Sequence, residues 1–285
     1  MRVGITGASG FIGSHLLRAL ERQADVVAAA FRRPRPARPP GVQDLIPFVK
    51  DKDIIYHLAG VNRGGDADLI EGNIMGTFNL IRAVQAAGQP ARIIFASSAQ
   101  VYKPPRTALP LRETHTAQPA TLYGVCKKTA EDLIRLSGLD YTLLRLTNVY
   151  GPGCRPNYNS VVATFCRRAA DGLPLTVSGN GRQGRDFIYI DDVVRAFLLA
   201  ATRRGKPSAY NVGSGRVTSL RTILQNIRRI LPDTQVTYRT ETVGDETSYC
   251  CDNSRFMKQY GWKTRTSLRK GIEITLAHAR QKTNP

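Results

Sequence analysis

A short apolar segment, Arg2 to Thr6, runs straight into Gly7-Ala8-Ser9-Gly10-Phe11-Ile12-Gly13, and no other feature of the chain restricts its fold as much. A strand that must turn within a few residues into a helix needs glycine where the backbone turns left-handed and where strand and helix approach closely. The helix read after it, Gly13 to Arg22, has Ile12, Leu16, Leu17 and Leu20 along one face. Its first N–H groups and its dipole favour a phosphate at the turn. This strand–turn–helix context reads as a dinucleotide cradle, with Gly7, Ser9, Gly10, Phe11, Ile12 and Gly13 as the contacts.

The pattern continues as alternating strands and helices. Strands are expected at Val26 to Phe31, Asp53 to Leu58, Arg92 to Ser97 and Tyr141 to Leu146, and helices at Asn73 to Ala87 and Thr121 to Ser137. Near-continuous apolar strands alternating with helices imply a parallel sheet covered on both faces. Arg32 to Gly41 carries four prolines and reads as a loop. After Gly151 the loops become rich in Gly, Pro and Asn, with helices expected near Val161 to Ala170 and Ser219 to Leu231. The expected architecture is α/β, a doubly wound parallel sheet of the Rossmann type with a smaller C-terminal substrate lobe. Residues 1–155 with about 186–215 are assigned to the first unit, and about 156–185 with 216–285 to the second.

Charge bears on the cofactor and the partners. The chain has 41 Lys and Arg against 22 Asp and Glu, a net charge of +19. The cations are dispersed, without a block of five, so the reading is a solvated surface rather than a nucleic-acid stripe. At the end of the second strand, dinucleotide sites often place an acid against the ribose 2′-hydroxyl. Arg32 and Arg33 stand there instead. Two cations suit a 2′-phosphate, so NADP is favoured, with NAD as the alternative. No apolar run approaches the roughly 20 residues of a membrane span. The five cysteines form no C-x-x-C pair, and the four histidines are scattered. This reads as free thiols in a cytoplasmic protein without a metal site.

Tyr123 and Lys127, at helical i, i+4 spacing, share a face. An ammonium beside a phenol favours the phenolate, which makes the phenol a more usable proton carrier. Ser98 is at the carboxyl end of the preceding strand, where an open α/β sheet places its ligands. These three are the candidate catalytic residues.

Taken in order, the motifs resemble the extended short-chain dehydrogenase/reductases, the nucleotide-sugar epimerase/dehydratase family. They are Gly7-x-x-Gly10-x-x-Gly13, His57-Leu58-Ala59-Gly60, Asn73-Ile74-Met75-Gly76-Thr77, Ser97 to Tyr102, Tyr123-x-x-x-Lys127, Asn148 to Gly153, Arg185 to Val193 and Tyr210 to Gly213. The resemblance implies proton exchange between Tyr123 and the sugar C4 oxygen, with Ser98 bonding the same oxygen and Lys127 holding the nicotinamide ribose. It adds Leu58, Ala59, Gly60, Asn73, Ala96 and Ser97 to the cofactor contacts. It places Ala99, Gln100, Asn148, Arg185 and Asp245 against the substrate. Relatives commonly dimerise through two helices, here Asn73 to Ala87 and Thr121 to Ser137.

Departures from the family narrow the reaction. Dehydratases of the family that act on dTDP-glucose carry an Asp-Glu pair where this chain has Ala99 and Gln100, which argues against 4,6-dehydration. GDP-fucose synthases carry a Cys and a His where Ala99 and Ser160 stand. Thr242 replaces a second phosphate-binding Arg. The third strand of relatives is missing, with only the Pro-rich loop and Gln43 to Lys52 in its place. The same shortening, and the stretches His57 to Arg63 and Arg155 to Cys166, resemble 4-ketoreductases of N-acetylated 6-deoxy-hexoses used in polysaccharides. Asn157, Tyr158 and Asn159 are therefore candidate substrate contacts. The leading expectation is an NADP-preferring 4-keto-6-deoxy-hexose reductase. A nucleotide-sugar C4 epimerase is the first alternative, and a non-catalytic RNA-binding or sensor protein is the alternative of another class.

Overall fold

The structure, a computed structural model, describes residues 1–31, 39–88, 91–103, 110–158, 160–202, 208–239 and 248–281. The elements run β1 (Arg2–Thr6), α1 (Phe11–Glu21), β2 (Val27–Ala30), α2 (Val42–Val49), β3 (Ile54–His57) and α3 (Asp66–Ile70). A π-helical turn, Glu71–Met75, joins α3 to α4 (Gly76–Ala86). Then come β4 (Arg92–Ser98), α5 (Leu122–Leu136), β5 (Tyr141–Leu146), β6 (Asn148–Tyr150), α6 (Val161–Ala170), β7 (Leu175–Ser178), β8 (Gly184–Arg185) and β9 (Phe187–Tyr189). The chain ends with α7 (Ile190–Thr202), β10 (Ser208–Val212), β11 (Thr218–Ser219), α8 (Leu220–Ile230), β12 (Val236–Arg239), α9 (Ser254–Tyr260) and α10 (Leu268–Gln281).

Six strands form one parallel sheet in the order β10-β5-β4-β3-β1-β2. Alternate side chains go to opposite faces, as strand geometry requires. Ile54 and Tyr56 pack with Leu16, Leu20 and Phe197 of α1 and α7. Ile55, Ile93 and Phe95 pack with Leu45, Leu80 and Ala130 of α2, α4 and α5. Strands buried on both sides read as continuous apolar runs, which is why they were legible. Among the described residues no strand pairs with the outer edge of β2, in line with the expected loss of the third strand.

The stretch after the Pro-rich loop is not featureless. Val42–Val49 is a helix, with the Gly41 N–H donating to Asp44 Oδ2 at 2.9 Å. Pro47 lies inside it and conceals it from a sequence reading, because proline normally ends a helix. Leu45 and Val49 are buried against the sheet, and that burial offsets the lost hydrogen bond. The expected helix Asn73 to Ala87 begins earlier, at Asp66, because the π turn continues α3 into α4.

The C-terminal part sets β12 parallel to β7 and packs α10 on α6 and α8. One apolar cluster runs unbroken from Val3 on β1 to Leu276 on α10. No helix among the described residues is long and apolar enough to cross a membrane. All five cysteines are buried and unbridged.

Candidate active site

The chain leaves β1 for β2 on one side and returns to β3 on the other. This reversal opens a crevice at the carboxyl ends of the strands, where α/β sheets hold ligands. Two adjoining cavities, of about 550 and 710 Å³, share Gly7, Ser9, Gly10, Leu58, Gly60 and Val61. The first is walled by Phe31, Pro39, Pro40 and Leu45, and the second by Ser98, Tyr123, Lys127 and Asn148.

The glycine turn is built for close approach. Gly7 is left-handed at φ 73°, and a Cβ there would lie 2.6 Å from the Ala59 nitrogen. A Cβ on Gly13 would overlap the Gly7 carbonyl oxygen. Gly10 caps α1 without a side-chain hydrogen bond, and no acid stands in the first turn. The free N–H groups of that helix end therefore suit an anion. A second mark of a ligand is Asn73. Its Nδ2 donates to Val61 O at 2.7 Å and Leu69 O at 2.8 Å, held there by the π turn. Its Oδ1 is buried without a partner and would be 2.5 Å from any Cβ on Gly60, with Lys127 Nζ close by. π turns of this kind recur at functional sites. The cradle and this spare acceptor both fit a bound dinucleotide.

Thr121 caps α5 by accepting from the Gly124 N–H at 3.1 Å, and Gly124 packs against the Gln100 backbone. That close contact sets Tyr123 and Lys127 beside the end of β4. Lys127 is buried, donates to Ala96 O at 3.1 Å, and lies 5.8 Å from the centre of the Tyr123 ring. Burial lowers the pKa of Lys127 to about 8. Burial also pushes the Tyr123 phenol up to about 12, while Asn62 and Ser98, whose polar ends face it, work in the opposite direction. The expected lowering by the Lys127 ammonium is not among the influences on this phenol: Asn62 and Ser98 are the groups that lower it, and desolvation of the phenolate dominates at this depth.

The remaining candidates divide. Ala96, Gln100 and Asn148 line the larger cavity, and Ala99 is buried beside it. Ser97 lines it too, but its hydroxyl donates to Glu131 at 2.6 Å. Asn148 Nδ2 donates to Asp186 O at 3.0 Å. The Tyr158 hydroxyl is engaged by the Arg63 backbone, accepting from its N–H at 3.3 Å and donating to its C=O at 3.2 Å. Asn157 is left-handed at φ 59° and faces α6 through Thr164. The structure does not bring Arg185 into either cavity. Its Nη1 donates to Gly184 O, and the guanidinium lies over the Tyr249 ring. Arg32, Arg33, Asn159, Asp245 and Thr242 lie outside the described residues. Sequence reasoning missed Asn62, Arg63, Thr147 and Arg155, all on the cavity wall. Asn62 and Arg63 end the His57 to Arg63 stretch, so a signal for them existed.

Residues 3–213 match the NAD dependent epimerase/dehydratase family. The chain belongs to that family. Among curated members it is 32% identical over 203 residues to a UDP-2-acetamido-2,6-beta-L-arabino-hexul-4-ose reductase of Pseudomonas aeruginosa, covering 70% of this chain and 49% of that enzyme. It is 30% identical over 313 residues to a UDP-glucose 4-epimerase of Mycolicibacterium smegmatis, covering 99% of each. Two solved structures superpose closely. MoeE5 in complex with UDP-glucose and NAD has 30% identity and a TM-score of 0.88, with 100% of both chains covered. RMD from Pseudomonas aeruginosa complexed with NADPH has 25% identity and a TM-score of 0.88, with 99% of both covered. The chain is therefore an enzyme of the epimerase/dehydratase family, and its relatives modify nucleotide-linked sugars.

Proposed function

We propose that this enzyme reduces a nucleotide-linked 4-keto-6-deoxy-hexose, with NADPH preferred over NADH. The observation that carries the reading is the make-up of the larger cavity. It joins a dinucleotide cradle to Ser98, Tyr123 and Lys127, and no carboxylate lines it among the described residues. Elimination or dehydration requires an acid–base pair beside the sugar. A phenol, a hydroxyl and an ammonium suffice for redox chemistry at a single carbon. The first cited relative, a 4-ketoreductase, supports the same choice.

In this reading the helix end and Gly7, Gly10 and Gly13 hold the pyrophosphate, and Arg32 and Arg33 meet the 2′-phosphate. NADPH, when bound, supplies the hydride. Tyr123 gives its phenol proton to the C4 oxygen, Ser98 bonds that oxygen, and Lys127 bonds the ribose hydroxyls. The C-terminal lobe carries the nucleotide end of the substrate. A second copy of the chain covers α4 and α5, where Phe78 and Val125 are exposed apolar side chains on neighbouring helices, with Met75 exposed on the π turn that leads into α4.

The test is an assay with NADPH and a panel of UDP-, dTDP- and GDP-linked 4-keto sugars. Consumption of NADPH one for one with sugar supports the reading. Interconversion of 4-hydroxy epimers, with NAD retained through purification, would favour the C4 epimerase instead. The full-length match to the mycobacterial epimerase keeps that second reading in play.

A further inference from the structure

The loop after β3 is held from two sides at one spot. On the helix side, Asn73 Nδ2 donates to Val61 O at 2.7 Å, and Gly72 leaves room for the Val61 side chain, which a Cβ would meet at 2.5 Å. On the other side, the Tyr158 hydroxyl bridges the N–H and C=O of Arg63. Tyr158 is aimed there by its own loop. Asn157 takes a left-handed conformation, and its N–H donates to Thr164 Oγ1 of α6 at 2.8 Å. A phenol hydroxyl can donate once and accept, and here both capacities are used on one residue's backbone. Asn62 lies between the two clamps, and its side chain faces the Tyr123 phenol inside the larger cavity.

Resting on the proposed role of Tyr123, we infer that Asn62 is a further catalytic residue, its amide donating to the Tyr123 oxygen, and that Tyr158 is the positioning residue that holds it there. When the phenol O–H breaks, its proton forms the new O–H on the sugar C4 oxygen and the electron pair stays on Tyr123. An amide N–H aimed at that oxygen is worth most at that moment, because a hydrogen bond to a charged group is stronger than to a neutral one. Lys127 on the same helix, the Tyr158 hydroxyl across the cavity and the Cys126 thiol are the titratable groups around the phenol. Asn62 is the neutral donor among its neighbours that comes from the β3 loop.

The test compares Asn62→Ala, Asn62→Asp and Tyr158→Phe with the native enzyme across pH. Aspartate keeps the size of Asn62 but cannot donate when ionised, which controls for simple loss of packing. Both Asn62 variants should lose about tenfold to a hundredfold in kcat, the range of one hydrogen bond to a charged group. The limb of the pH profile set by Tyr123 should move to higher pH. Tyr158→Phe should move the same limb by less, and should add little in an Asn62→Ala background. Tyrosinate absorbance of the cofactor-free protein, taken as the difference from matching Tyr123→Phe variants, reads the same shift without turnover. Loss of rate with an unmoved limb and an unmoved tyrosinate titration would overturn the inference. Full activity of Tyr123→Phe alone would instead remove the reading on which it rests.

Discussion

Glu131 on α5 and Arg145 on β5 form a buried two-point ion pair, with Arg145 Nε 2.9 Å from Oε1 and Nη2 2.6 Å from Oε2. Both side chains are almost wholly buried. The pair sits beneath the candidate site, since Ser97 also donates to Glu131 and Arg145 Nη1 donates to the Tyr102 hydroxyl at 2.7 Å. It fixes the end of β4 against α5, and therefore Ser98 against Tyr123.

Removing Glu131 leaves Arg145 charged and dry, whereas removing Arg145 leaves Glu131 with Arg135 Nη2 at 3.1 Å. Glu131→Leu should destabilise the fold by about 3–5 kcal/mol, Arg145→Met by less because Arg135 still pairs with Glu131, and the double variant Glu131→Leu/Arg145→Met by less than Glu131→Leu alone. Denaturant midpoints measure this, and additive losses in the double variant would count against the pairing.

Gly13 is the most constrained position of the cradle. Gly13→Ala places a methyl group into the Gly7 carbonyl oxygen, so the turn must open. Titration calorimetry should show loss of NADPH binding, whereas Gly88→Ala, which meets no neighbour but strains a left-handed φ of 75°, should lower stability and leave affinity unchanged.

Acid should weaken the fold through His57. Burial, helped by the Lys127 charge, lowers its pKa from 6.5 to about 3, and both ring nitrogens are engaged by Thr6 and Thr77 hydroxyls. The unfolded chain then binds the extra proton first. Stability is complete above about pH 6.5 and falls as pH drops toward 3, with a slope approaching about 1.4 kcal/mol per pH unit. His57→Gln should flatten that part of the profile in urea melts, and an unchanged slope would contradict this account.

Phe78 tests the partner surface. It is 41% exposed on α4, and Val125 on α5 is 43% exposed. Phe78→Glu should shift sedimentation from dimer to monomer without loss of helicity. A native protein that sediments as a monomer at micromolar concentration would remove the dimer proposal.

The sheet and the glycine turn were legible because their physics is local. Buried parallel strands are apolar throughout, and a strand-to-helix turn at Gly7, Gly10 and Gly13 has few substitutes. Tyr123 and Lys127 were legible from helical spacing. Pro47 hid α2, because burial of Leu45 and Val49 overrode a residue-level rule. The π turn at Glu71–Met75 left no mark in a 3.6-residue period. The Tyr158 clamp on Arg63, next to Asn62, spans 95 residues of sequence, and only the folded chain joins its two ends. Arg185 was read from a motif match alone, and the fold sets its guanidinium over the Tyr249 ring.

The central claim is hydride delivery to sugar C4 with the proton from Tyr123. Its most direct measurement uses NADPH deuterated at the transferable position and a UDP-linked 4-keto-6-deoxy sugar, with the product read by NMR. The account predicts one deuterium at C4 for each NADPH oxidised, and none with Tyr123→Phe. Product without deuterium at C4, or equal labelling by the Tyr123→Phe enzyme, would contradict it.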